Sequence, residues 1–297
     1  RYNTPATYML AAILHRKGID LESFLQQRLF DKLGIQGMRW QRSSDGICTG
    51  GFGLSVVPEC QALFGRLLAL RGMWNGERII SEDYLDLATS LQINNGDFDV
   101  HNDWAQGYGF QFWCCVNNCF RADGMYGQLC VVSRDKDIVF TATSYCNNIQ
   151  GLLNVFYEFI LPYLDESEAL LAGEGYAALQ KKCGELKVQT PELTPMPKDV
   201  LDSLNGRTYE KVQGHPFFVP NKVSLEFSNE GLILKQSRGI IRIPLDGYSF
   251  SKRNRILPDT TLAVRCGMNG EGKAVIELSY LEMLQYYTFE IDRKSVV

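Results

Sequence analysis

The chain has 297 residues, 45% apolar and 22% charged, which is enough for one large domain or two modest ones. Those proportions exclude a disordered polypeptide. The net charge of −4, with 13 Lys and Arg against 17 Asp and Glu in residues 1–165 and 17 against 17 beyond, excludes the basic footprint of a nucleic-acid binder.

In chain order, Met9, Leu10, Ile13 and Leu14 follow helical spacing from Thr7 to Arg16, and Gly18 closes the segment. Leu21, Phe24, Leu25, Leu29 and Leu33 repeat the pattern up to Gly34. A glycine-rich bend, Thr49-Gly50-Gly51-Phe52-Gly53-Leu54-Ser55, precedes a helix from Pro58 to Arg71, with Pro near its start and Gly72 after it. Ser81 caps a short helix through Ala88. Past a polar loop at 93–107 the period shortens. Residues 108–115, 119–123, 127–133 and 138–144 read as strands of an antiparallel sheet, with hairpin signals at Asn117-Asn118 and Arg134–Asp137. An apolar helix from Leu152 to Leu161 then packs across that sheet.

Signals weaken over 165–205. A helix through 167–182 and an extended, Pro-rich linker at 190–197 are predicted. Beyond Asn205-Gly206 come short strands at 207–211, 223–228, 231–236, 239–244, 247–250, 261–266, 273–280 and 284–291, a small antiparallel barrel or sandwich. The fold class is therefore α+β, divided as 1–164, a connecting stretch 165–204, and an all-β domain 205–297.

The nine cysteines lack any Cys-x-x-Cys and several have apolar neighbours, so most read as reduced core residues, which favours a cytoplasmic or anaerobic setting. Neither a metal nor a cofactor site is implied. Asp97-x-Asp99-x-His101-x-Asp103 has Asn102 where a calcium loop needs Gly, and it reads as a solvated loop. His15, His101 and His215 fall in a helix, a loop and a turn, and give no Ser-His-Asp spacing. No run reaches the roughly 18 to 20 apolar residues of a membrane helix.

Two patterns carry chemistry. Tyr2-Asn3-Thr4 stands just before the first helix, and Ala122-Asp123-Gly124-Met125-Tyr126-Gly127-Gln128 ends one strand and starts the next. With Gly107-Tyr108-Gly109-Phe110-Gln111-Phe112-Trp113 and the Gly50–Ser55 bend, they resemble the later active-site motifs of penicillin-binding-protein and class C β-lactamase-like serine hydrolases. The resemblance covers about residues 1–164. It implies that Tyr2 relays a proton, that Thr4 orients the substrate, and that Ala122, Asp123, Gly124 and Tyr108 border the pocket. Ala122 replaces the cation usual in that motif, which favours ester or peptide substrates over β-lactams.

The family's nucleophile lies in a helical Ser-x-x-Lys ahead of the Tyr motif. Ser133-Arg134-Asp135-Lys136 spells it but falls in a predicted turn, where the two side chains do not share a helix face. The chain, which opens without Met, is thus expected to be the C-terminal part of such a hydrolase and inactive alone. Its expected partners are a small-molecule or peptide-like substrate and a second copy of itself. The alternative is a non-catalytic binding or scaffold protein that keeps the fold.

Overall fold

The structure is a computed structural model that describes residues 3–165, 174–187, 190–213, 221–228, 230–237, 239–253, 260–281 and 286–291. Tyr2, His215, the first part of the helix predicted at 167–182 and residues 284–285 of the last strand lie outside the described residues. Two compact units divide the chain, 1–169 and 170–297.

In the first unit, α1 (Thr4–Arg16) begins with Pro5 in its first turn, where a missing N–H costs nothing. Met9, Leu10 and Ile13 on α1 are each more than half exposed. The second predicted helix is interrupted by a single π-helical turn, giving α2 (Leu21–Leu25), the turn Gln26–Phe30 and α3 (Asp31–Leu33). Asp20 caps it, accepting from the Ser23 N–H at 3.0 Å, and Gly34 ends it at φ +73°. Two-residue strands β1 (Arg39–Trp40) and β2 (Leu54–Ser55) pair across the glycine-rich bend. Helix α4 (Pro58–Ala69) starts at the expected proline, followed by the hairpin β3 (Met73–Trp74) and β4 (Glu77–Arg78). Ser81 caps α5 (Glu82–Thr89).

The central sheet runs β5 (Trp113–Cys114), β6 (Cys119–Gly124), β7 (Gln128–Ser133), β8 (Val139–Ala142), all antiparallel in that order. Strand alternation sends Phe120 and Val132 to a core shared with Leu68 of α4. Leu129 and Val131 go to the other face, against Leu153 and Phe156 of α6 (Ile149–Phe159), where the Phe140 and Phe156 rings stack at 4.9 Å. Leu153 and Phe156 are fully buried. Each such side chain contributes roughly 1.5–3 kcal/mol, which is why α6 stays on the sheet.

Only Trp113–Cys114 of the strand predicted at 108–115 forms a ladder. Residues 107–114 instead make a tight loop, with Tyr108 bridged to both Ile93 and Trp113 and Gln111 at φ +65° reversing the chain. A Cβ on Gly109 would fall well inside van der Waals distance of the Ala88 carbonyl oxygen, to which Phe110 N–H donates at 2.7 Å. Gly109→Ala is therefore expected to cost the first unit about 2–3 kcal/mol. All four tryptophans lie in this unit, so urea denaturation followed by Trp fluorescence reads it alone. An unshifted midpoint would contradict the close approach.

The second unit holds α7 (Glu174–Glu185), α8 (Lys198–Leu204) and two four-stranded antiparallel meanders. One is β9 (Arg207–Glu210), β10 (Lys222–Ser228), β11 (Gly231–Gln236) and β12 (Gly239–Ile243). The other is β13 (Ser249–Arg253), β14 (Thr260–Met268), β15 (Ala274–Tyr280) and β16 (Tyr286–Ile291). Among the described residues no ladder joins the sheets into a closed barrel. They share one core with α8, built from residues such as Leu204, Leu225, Leu234, Leu262 and Ile276. The predicted linker is a packed segment: Thr194 bridges Met268, the Arg265 guanidinium donates to Pro191 O at 2.9 Å, and Met196 enters the core.

Candidate functional site

The first turn of α1 and the glycine-rich bend meet tightly. A Cβ on Gly51 would lie 3.0 Å from Thr4 Cγ2 and from the Thr4 carbonyl oxygen, so the bend reaches this turn only as glycine. The N-cap is Asn3, with extended backbone, and Thr4 is the first helical residue. One turn on, Thr7 Oγ1 donates to Gln111 Oε1 at 3.4 Å, and the Tyr108 hydroxyl donates to the same oxygen at 3.4 Å. Gln111 thereby ties α1 to a loop a hundred residues away.

From Tyr108 the line continues into the sheet. Its ring lies edge-on to Trp113 at 4.8 Å, and Trp113 pairs with Arg121. The next three residues are Ala122, Asp123 and Gly124, which finish β6 opposite Cys130, Leu129 and Gln128. Ala122 shares the α4 side with Cys130, whose Sγ is 3.7 Å from Gln61 O. No cation occupies this position of β6. The hairpin tip is held from outside: Ser144 Oγ donates to Tyr126 O at 2.7 Å and Gly127 O at 3.0 Å, and Gln128 Nε2 donates to Ser144 O at 2.5 Å. The tip places Tyr126 at φ +63° beside Tyr145, with ring centroids 4.6 Å apart.

Asp123 faces the α6 side, where it accepts from Arg121 Nε at 2.9 Å. Arg121 is fully buried. Its guanidinium lies 4.5 Å from the Trp104 ring centroid and 5.4 Å from that of Trp113, and its Nη1 is 3.2 Å from Cys115 Sγ and 3.9 Å from Asp103 Oδ1. Asp103 is fully buried too. Its carboxylate accepts from the Tyr157 hydroxyl at 2.9 Å, Gln150 Nε2 at 2.7 Å and the Val116 N–H at 3.2 Å. Burial, reinforced by Cys115 and Asp103, pushes the Tyr157 phenol far above its usual range, and burial pushes the Cys115 thiol up to about 12. Neither is a proton-transfer group at neutral pH.

The loop read as solvated is thus a surface segment with one inward anchor. Asp99 caps the His101 N–H at 2.9 Å, whereas Asp103 belongs to the interior. Ser133 ends β7 as a buried side chain, and Lys136 follows it in the hairpin turn, so the Ser-x-x-Lys spelling there has no helix to support it. The sequence reading took Asp103 for part of a solvated loop and gave no role to Gln111 or Ser144.

No protein-family model matches the chain, and comparison with curated proteins gave no match. Among solved structures, "Putative 6-aminohexanoate-dimer hydrolase from Bacillus anthracis" is similar at 22% identity and a TM-score of 0.45, over 53% of this chain and 42% of that one. A structure described as a "putative beta-lactamase from Bacteroides dorei DSM 17855" is similar at 14% identity and a TM-score of 0.36, over 47% and 52%. The octameric penicillin-binding protein homologue from Pyrococcus abyssi is similar at 13% identity and a TM-score of 0.38, over 98% and 63%. In each case the similarity spans less than two thirds of the other protein's length.

Proposed function

We propose that this chain carries the later part of the acyl-transfer pocket of a β-lactamase-like serine hydrolase acting on esters, amides or peptides. The observation supporting this most is the Thr7–Gln111–Tyr108 junction. It sets the first turn of α1 against the Gly-Tyr-Gly segment, and the Trp113–Arg121 pair leads from there to Ala122–Gly124. The contact made by Thr7, one helical turn beyond Thr4, supports reading the three segments as parts of one site.

In this reading Tyr2 and the Lys of a Ser-x-x-Lys helix ahead of Arg1 relay the proton from the nucleophilic Ser. A backbone N–H past Gly124 receives the developing oxyanion, and Thr4 orients the substrate. Ala122, in place of a cation, favours neutral ester or peptide substrates over ligands recognised by their carboxylate. The same alanine favours the second reading, a binding protein that retains the fold without turnover.

The test is covalent labelling read by mass spectrometry. Alone, the 297-residue chain is expected to give no adduct with a fluorophosphonate or a penicillin. With its upstream coding sequence restored, it is expected to be labelled on the Ser of a Ser-x-x-Lys. An adduct on any serine of the present chain refutes the assignment of the nucleophile. An upstream region without Ser-x-x-Lys, or one that stays unlabelled, leaves the binding-protein reading standing instead.

A further inference from the structure

A cleft of about 480 Å³ opens on the α6 side of the first unit, within the range of small-molecule sites. It is lined on one side by α6, and on the others by the 98–106 loop and the turn at 115–117. Its floor is fixed rather than fluid. Tyr157 and Gln150 are bonded to buried Asp103, and Cys115 is held by Arg121.

One wall is the stripe Gln150, Asn154 and Glu158, spaced four apart and hence on one helix face. Leu153 and Phe156 of the same helix turn to the sheet. His101 and Asn117 line the cleft from the loops. Among the described residues neither their side chains nor Glu158 has a hydrogen-bond partner within the protein. On the rim, Phe98 is 72% exposed and Val100 54%.

The chemistry of the lining selects among ligands. Among the described residues it contains no Lys or Arg and one carboxylate, so a phosphate or carboxylate ligand would meet Glu158 without a counter-charge. A bare cation would find only one exposed carboxylate, which is worth little in water. The Gln150 and Gln106 amides are committed within the protein, Gln150 Nε2 donating to Asp103 and to Asn154 Oδ1 at 3.0 Å and Gln106 Nε2 to the Asp99 and Asn102 carbonyls. Among the described residues, the Asn154 NH2 group and the Asn117 amide are left to meet ligand hydroxyls, and the His101 imidazole and Glu158 carboxylate accept further hydroxyl protons. The exposed Phe98 ring and Val100 offer a flat apolar surface for C–H groups.

We propose that this cleft binds a neutral, hydroxyl-rich small molecule of mono- or disaccharide size, seated on the Asn154–Glu158 face of α6 with Phe98 over its apolar side. The site does not rest on the acyl-transfer reading, since its lining includes none of Thr4, Tyr108, Ala122, Asp123 and Gly124.

The experiment is a calorimetric and ligand-observed NMR titration of the full chain with glucose, N-acetylglucosamine, maltose and cellobiose. Spermidine and inorganic phosphate serve as the charged comparisons. At least one sugar is expected to bind more tightly than either comparison. Phe98→Ala and Glu158→Ala, both at exposed positions, are each expected to weaken it by about tenfold or more. Val155→Ala, exposed on α6 outside the lining, is expected to leave binding unchanged. Absence of binding by all four sugars up to tens of millimolar overturns the proposal. So does tighter binding of spermidine or phosphate, or sugar binding that neither lining variant weakens.

Discussion

Replacing Arg121 with Met is expected to destabilise the first unit by about 3–5 kcal/mol, the usual cost of breaking a buried ion pair from one side. Arg121 and Asp103 are both wholly shielded from water, and Asp123 is nearly so. Removing the guanidinium leaves Asp103, still hydrogen-bonded to Tyr157, Gln150 and Val116, and Asp123 as shielded carboxylates without their cation, and it also strips the cation from between Trp104 and Trp113. The loss comes from abandoned charge more than from a forfeited attraction. The double variant Arg121→Met/Asp103→Asn is therefore expected to regain at least about 1 kcal/mol, because the amide still accepts from Tyr157 and bears no charge. Arg121→Lys is expected to fall between, since one ammonium cannot reproduce the fork that reaches Asp123 through Nε and Cys115 through Nη1. Urea midpoints read by Trp fluorescence measure all three. A loss under about 1 kcal/mol for Arg121→Met would falsify the account of this network.

Raising the pH from 8 to 10.5 is expected to unfold the first unit well before the second. Burial pushes the thiols of Cys115 and Cys130 up to about 12 and that of Cys119 up to about 11, all in residues 1–169. The second unit carries one comparable thiol, Cys266, raised by burial to about 11. A group whose folded pKa is raised keeps its full contribution below the unfolded value, near 8.5, and loses it as pH climbs toward the folded value. In that window the unfolded chain ionises and the folded chain does not. Each thiol removes about 1.4 kcal/mol per pH unit, so three remove roughly 4 kcal/mol per unit. Tyr157 adds to this above about pH 10, the usual phenol value. Trp fluorescence follows the first unit alone, and far-ultraviolet circular dichroism follows both. The Trp transition should move to lower temperature faster than the circular dichroism of the remaining strands. Coincident transitions that do not shift across this range would refute the prediction.

Much of the fold was legible in the chain because it is written in local periodicity. Helix α4 begins at Pro58 as expected, Ser81 caps α5, and β6, β7 and β8 lie within a residue or two of the alternating runs. The eight strands among the described residues of the second unit follow from the same alternation, as in Leu232-Ile233-Leu234, where Leu232 and Leu234 enter the core. Strand alternation also told that Arg121 and Ala122 face opposite sides of β6. These features depend on what lies two to four residues away, and a sequence records that directly.

Other features depended on partners that no local pattern names. Asp103 looks like any loop carboxylate until Gln150 and Tyr157, about fifty residues on, and Arg121 close in around it. Residues 108–115 have the composition of a strand, yet Gln111 reverses there, in a left-handed conformation and tied to Thr7. The prolines at 191, 195 and 197 suit an exposed linker, but the Thr194–Met268 bridge and Met196 fasten that stretch to a sheet, and α8 after it had too short a pattern to be read. The cleft beside α6 likewise exists only where a helix, a loop and a turn converge. The sequence by itself determined the elements and their faces, because backbone period and side-chain polarity are local. The tertiary structure alone decided which polar groups are buried together, because the cost of leaving a charge unpaired is settled by neighbours distant in the chain.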